Sequence, residues 1–328
     1  MKRVLGALVV ALVAACSSPE KAEPPAVPPR ITDGDMTKAD RAAFLATSDL
    51  VYASDYYSFV GRDAEGFVAL ALDTNRGRDG AEFQAEHYGV LHDTRSGWDV
   101  PLKNGEFPNT ANELVGLTDS PYFTFHGEPH GPLTIAGAGN GLKLTVDRLQ
   151  GRVVRHDART FYALLSGPAT LRWEGRTIVG RVIYEDLLKT EFNRIARPSL
   201  STFNNFNGFY LVTETGGDLY IRSSGRSGLQ VPEPVLGFIA EGTRSEELGE
   251  LRVEESGHSL GLGFYRWPTS WHARWSGSAG PATLRLETVS RHVMFNWVLG
   301  AYSMAVVEGE LEEGGRKTKV YGLGELIR

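Results

Sequence analysis

Apolar and polar residues alternate singly along much of the chain. Ala169, Leu171 and Trp173 interleave with Thr170, Arg172 and Glu174; Ala282, Leu284 and Leu286 with Thr283, Arg285 and Glu287; Trp271, Ala273 and Trp275 with His272 and Arg274. A period of two sends successive side chains to opposite faces, so each stretch predicts a strand with one apolar and one wet face, as in antiparallel sheets. Turn clusters such as Gly137-Ala138-Gly139-Asn140-Gly141 and Gly216-Gly217-Asp218 punctuate the strands. One helix is expected ahead of them: Thr37 and Asp40 stand near capping-box spacing, and Ala42, Ala43, Phe44, Leu45 and Ala46 follow. No long helical period alternates with the strands, which argues against a doubly wound fold.

Gly167-Pro168-Ala169-Thr170-Leu171-Arg172 recurs as Gly280-Pro281-Ala282-Thr283-Leu284-Arg285, and each copy is followed by a later strand carrying a glutamate, Glu185 and Glu325. The echo predicts two similar antiparallel β units, residues 36–195 and 196–328, with the boundary between Phe192 and Ser201. The expected class is all-β: two antiparallel β-barrels, or strongly curved sheets, in tandem after a short N-terminal helix. Closing or curling the sheets would remove the exposed edges that so many strands create.

The amino terminus follows another rule. Lys2 and Arg3 precede the apolar stretch Val4 to Val13, and Val13-Ala14-Ala15-Cys16 closes it. This is a secretory signal over residues 1–15, too short to span a bilayer, and it resembles the bacterial lipoprotein signal. That resemblance implies cleavage before Cys16, the one cysteine of the chain, and its lipidation, with palmitate among the acyl groups. Ser17 in place of the aspartate that retains lipoproteins at the inner membrane points to the periplasmic face of the outer membrane. Residues 16–35, with Pro19, Pro24, Pro25, Pro28 and Pro29, read as an extended tether. The 34 Lys and Arg against 40 Asp and Glu leave a net charge of −6, unlike the basic face that nucleic-acid binding needs.

Three segments in the middle of the chain carry a family resemblance: Gly180-Arg181-Val182-Ile183-Tyr184-Glu185-Asp186, Phe206-Asn207-Gly208-Phe209-Tyr210-Leu211-Val212, and Gly216-Gly217-Asp218-Leu219-Tyr220-Ile221-Arg222. With the closing Tyr321-Gly322-Leu323-Gly324-Glu325-Leu326, they resemble the carotenoid 1,2-hydratase (hydroxyneurosporene synthase-like) group. The resemblance covers residues 50–328 and implies two lipocalin-like β-barrels, with acid–base candidates at Tyr184 and Asp186 and an upstream His156. Tyr184 and Asp186 stand two apart on one strand and so share a face. In an apolar barrel, desolvation would raise the carboxyl's pKa and suit it to protonating a carbon–carbon double bond; a buried polar pair satisfied by backbone is the alternative. The sequence departs from the group at Leu187, Leu188 and Lys189, where a run rich in His, Asn and Trp is expected, and at Ala158, where an aromatic is expected beside His156.

His126-x-Glu128-x-His130 has metal-ligand residue types, but Pro129 and Gly131 place it in a loop with no fourth ligand fixed, so no metal is expected. No Gly-x-Ser-x-Gly elbow occurs, and the glycines at 137, 139 and 141 do not complete a dinucleotide fingerprint; no cofactor is expected. Aromatics crowd two stretches: Tyr265, Trp267, Trp271 and Trp275 in one, Phe203, Phe206, Phe209 and Tyr210 in the other. With Trp173 they either fill the barrels or line a pocket for a lipid or other apolar small molecule. Three functions are therefore expected: a membrane-anchored periplasmic lipoprotein that binds such a ligand; a hydratase or isomerase with Asp186 as proton donor; or an envelope scaffold that binds another protein.

Overall fold

The computed structural model describes residues 34–79, 82–108, 113–117, 119–190, 206–224, 235–260, 266–297 and 300–327. The expected signal, Cys16, Phe203 and Tyr265 lie outside the described residues, as does the side chain of Phe206. Helix α1 (Gly34–Thr47) comes first. It begins ahead of Thr37, so residues 34 and 35, expected in the tether, are helical. Thr37 is fully buried rather than an exposed cap, and packing against the sheet supports a helix of this length better than local propensity does.

The first sheet contains β1 (Tyr52–Asp63), β2 (Gly66–Asp79), β3 (Glu82–Asp93), β4 (Gly97–Pro108), β5 (Phe123–Gly127), β6 (Leu133–Gly137), β7 (Lys143–Val146), β8 (Gln150–His156), β9 (Thr160–Trp173) and β10 (Arg176–Lys189). The second contains β11 (Phe206–Thr213), β12 (Asp218–Ser224), β13 (Leu236–Glu241), β14 (Arg244–Glu247), β15 (Gly249–Leu260), β16 (Arg266–Gly277), β17 (Gly280–Trp297), β18 (Gly300–Glu313) and β19 (Arg316–Ile327). In each, all described pairings are antiparallel and the first strand pairs with the last: β1 with β10, and β11 with β19.

The strand orders match. β4-β3-β2-β1-β10-β9-β7-β6-β5, with β8 beside β9, corresponds place by place to β14-β13-β12-β11-β19-β18-β17-β16-β15. These are two curled half-barrels of one design, a tandem lipocalin-like fold. The hexapeptide echo is not its trace, because its copies lie on β9 and β17, and the counterpart of β9 is β18. The glutamates are: Glu185 on β10 and Glu325 on β19 occupy matching strands.

Alternation sorts the side chains into three cores. Tyr57, Phe59, Val182 and Tyr184 face the interior of the first half-barrel; Phe209, Leu211, Trp267 and Trp271 face that of the second. Residues one step along the same strands, among them Tyr56, Ile183, Tyr210 and Leu323, meet in a third core, the seam between the half-barrels. β1 is consequently buried at ten successive positions, Tyr52 to Gly61, and lacks the wet face that simple alternation predicts.

Close approach of the paired end strands demands glycine. A Cβ on Gly322 would come within 2.0 Å of the Tyr210 carbonyl oxygen, and one on Gly180 within 2.3 Å of that of Val60. Gly322→Ala is therefore expected to destabilise the fold by about 1–3 kcal/mol, read as a lower thermal midpoint. Val179→Ala, at a position 68% exposed, should stay within about 0.5 kcal/mol of the parent. An unchanged midpoint for Gly322→Ala would contradict the tight β11–β19 contact.

Candidate functional site

β1 and β10 bring two carboxylates side by side inside the first half-barrel. Asp55 and Asp186 are direct cross-strand partners, and Tyr57 pairs with Tyr184 two positions along, on the same face. The two phenol rings stack, with centroids 4.5 Å apart and planes inclined by 16°. Like charges set opposite each other on a sheet repel, so each acid needs its own cation. Asp55 receives Arg76, from β2, and also accepts the Tyr184 hydroxyl proton; Arg76 in addition donates to the Gly116 carbonyl. Asp186 Oδ2 accepts from Arg41 Nε at 2.7 Å and from His130 Nε2 at 3.1 Å.

These partners come from places that single-strand patterns do not connect. Arg41 reaches in from α1, which packs against β8 and β9. His130 lies in the turn between β5 and β6, held where Leu149 N donates to its carbonyl at 3.0 Å and Tyr57 Oη donates to the carbonyl of Pro129 at 3.0 Å. A surface ion pair, Lys38 Nζ to Glu128 Oε2 at 2.9 Å, ties α1 to the same turn. The imidazole also meets the edge of the Tyr184 ring, at a centroid distance of 5.7 Å.

Electrostatics at Asp186 differ from the expectation. Burial does favour the protonated acid, but Arg41 and then His130 outweigh it and hold the carboxyl below its ordinary pKa. Asp186 is thus an ionised acceptor and not a poised proton donor. The Tyr184 phenol is pushed well above its ordinary value, by burial first and then by Asp186 and Asp55, so it keeps its proton. Three buried polar atoms in this group have no hydrogen-bond partner among the described residues: Arg41 Nη2, Asp186 Oδ1 and His130 Nδ1. Asp186 stands at Nε2, so Nδ1 lies on the far side of the ring, open to a second partner.

The other expected site residues fall elsewhere. His156 ends β8 opposite Phe161, and the imidazole that meets Asp186 is His130 instead. Trp173 lies in the first interior, Phe209, Trp267, Trp271 and Trp275 in the second, and Tyr210 in the seam. Phe209 and Trp271, with Ile221, Val253, Ala273, Leu284 and Leu286, line an apolar crevice too narrow to admit a water molecule. Trp271 Nε1 and Trp275 Nε1 are buried donors without a partner among the described residues. The His126, Glu128, His130 triplet does not converge, and no cluster with metal-binding geometry occurs among the described residues. Arg41, Asp55, Arg76 and His130 were not singled out for catalysis from the sequence. The available signal was Asp55 itself, a charge in the inward series Ala53, Tyr57, Phe59.

No protein-family model matches the sequence, and no curated protein matches it. Solved structures share its fold. Kievitone hydratase from Nectria haematococca aligns over 86% of this chain and 90% of its own, with a TM-score of 0.57 and 10% identity. A candidate AttH from Nitrosomonas europaea aligns over 85% and 92%, with a TM-score of 0.57 and 11% identity. At such identities the likeness establishes the tandem lipocalin-like fold, and any chemistry has to be argued from this chain's own residues.

The Asp55–Arg76 pair offers a direct check on the electrostatics, since the two side chains are 1% and 0% exposed. Arg76→Met should cost about 3–5 kcal/mol, because it strands a buried carboxylate beside a second one. Chemical unfolding would measure it, and a loss below 1 kcal/mol would show that Asp55 does not depend on Arg76.

Proposed function

We propose that the first half-barrel takes an apolar small molecule carrying a carbon–carbon double bond and moves a proton to or from it, as a hydratase or isomerase does. The observation that carries this reading is one buried hydrogen-bonded group, Arg41, Asp186 and His130, in which Arg41 Nη2, Asp186 Oδ1 and His130 Nδ1 are left unpaired. Buried polar groups are normally paired, so these atoms can serve a polar group brought in with the substrate: Arg41 Nη2 can donate to an oxygen, Asp186 Oδ1 can accept a water proton, and His130 Nδ1, on the side of the ring away from Asp186, can exchange a proton with the substrate. Asp186 fixes the imidazole's tautomer and stabilises its protonated form, while His130 exchanges the proton with the substrate. The interior around the trio, with Phe161, Leu165 and Leu188, supports an apolar substrate body. That one of the structures sharing this fold over most of the chain is named a hydratase is compatible with this reading.

The test is turnover of a panel of apolar alkenes and enones, followed by mass spectrometry for the addition of water or for double-bond migration. His130→Gln should lower turnover by at least about a hundredfold, with the circular dichroism spectrum retained. Activity that persists undiminished in this variant removes His130 from the chemistry.

A second reading has its own observation. The unpartnered Trp271 Nε1 and Trp275 Nε1, beside the apolar crevice at Phe209, support holding of an apolar ligand without chemistry in the second half-barrel once side chains there give way. Binding of a fluorescent lipid probe that quenches tryptophan emission and survives His130→Gln would favour it.

We also propose that the chain is a lipoprotein held at the periplasmic face of the outer membrane. The Lys2-Arg3 start, the short apolar stretch and Val13-Ala14-Ala15-Cys16 support this. Cys16→Ser should abolish incorporation of labelled palmitate and move the protein from the membrane pellet to the soluble fraction. Unchanged fractionation of that variant would overturn the anchor.

A further inference from the structure

Proton counting at the seam yields a result independent of the site in the first half-barrel. The Tyr210 hydroxyl on β11 lies 2.7 Å from Glu185 Oε1, on β10, and 3.0 Å from Glu325 Oε2, on β19. A phenol has one proton and can donate it to only one of two carboxylates. Glu185 Oε1 also accepts from Tyr220 Oη at 2.5 Å, and Glu185 Oε2 lies 3.8 Å from Arg222 Nη1. These donors converge on Glu185, so the contact between Glu325 and Tyr210 is made with a proton carried by Glu325.

The surroundings of Glu325 agree. It is 7% exposed. Asp73 on β2 and Glu185 on β10 add negative charge nearby, and the cation that offsets them is Arg222 on β12. The remaining titratable neighbours are phenols: Tyr56 on β1, Tyr88 on β3 and Tyr302 on β18 each feel the Glu325 carboxyl. Burial, then Glu185 and Asp73, push Glu325 up to about 8. Asp73 is itself pushed up to about 7 by burial, against donors that include Asn75 Nδ2 at 2.9 Å and Ser54 Oγ at 3.1 Å.

We propose that the seam is a proton lock: the proton on Glu325 joins the second half-barrel to Glu185 of the first through Tyr210, and its loss as pH rises sets two carboxylates against each other and parts the half-barrels. A carboxyl that holds its proton more tightly when buried stabilises the closed seam fully below its unperturbed value of 4.5, and that contribution decays as pH climbs through about 8. Between those two values the ratio of parted to closed molecules should grow about tenfold per pH unit for one proton lost, and it levels off once Glu325 is ionised in the closed form as well.

The experiment places spin labels at exposed Val179 and Val289, one on each half-barrel, as cysteines in the full chain carrying Cys16→Ser. One short distance is expected at pH 4.5, with a longer-distance population rising about tenfold per unit up to about pH 8 and constant above it. Glu325→Gln, which keeps a donor and an acceptor but cannot ionise, should hold the short distance to pH 10, and Glu185→Gln should do the same by removing the opposing charge. A wild-type distance that stays constant to pH 10 overturns the lock, and so does parting at the same pH in both variants. If Glu325→Gln fails to fold, Glu185→Gln alone decides. Neither glutamate belongs to the Asp186–His130 site, so failure here leaves the proposed chemistry untouched.

Discussion

Burial of both sheet faces is the constraint from which the rest of this molecule follows. β1, β10, β11 and β19 each turn one face into a half-barrel and the other into the seam. Along the stretches of these strands where both faces are covered, a charged side chain is shut off from water, so each carboxylate there must find an arginine, an imidazole, a phenol or a proton within the protein. The inner face of the first half-barrel solves this with Arg76 on Asp55 and with Arg41 and His130 on Asp186. At the seam, phenols and a retained proton serve Glu185 and Glu325. A third solution braces the half-barrels: Asp218, fully buried, takes Arg181 and accepts the Ser166 hydroxyl at 2.6 Å.

The polar group around Asp186 is a candidate for chemistry because its pairing is incomplete. Asp55 is fully engaged, by Arg76 and Tyr184, and its role is to hold the two tyrosine rings and balance charge. Asp186 has one oxygen crowded with donors and the other free, while the guanidinium and imidazole beside it each keep a nitrogen unspent. Helix α1 contributes to this arrangement directly. Arg41 is the largest of the influences that oppose burial at Asp186, ahead of His130.

Much of the architecture was legible in the alternation. Strands at Ala169–Trp173, Trp271–Trp275 and Ala282–Leu286, the opening helix, the glycine turns and the two-unit plan all correspond to elements of the structure. The shared face of Tyr184 and Asp186 followed from their spacing of two, and Tyr184 and Val182 do line the same interior. The hexapeptide echo misled on detail, since six matching letters on unmatched strands reflect similar local strand chemistry and not equivalent positions. The placement of Glu185 and Glu325 proved the more telling repeat.

What the sequence determined by itself is everything that depends on near neighbours: strand period, turn chemistry and which residues share a face. Tertiary structure alone decided the partners. Arg41 and Asp186 are 145 positions apart, His130 and Asp186 56, and Tyr210 and Glu325 115. A side chain's protonation and role are set by the charges and the dielectric within a few ångströms of it, and those are supplied by strands and turns that only the curl of the two sheets brings together.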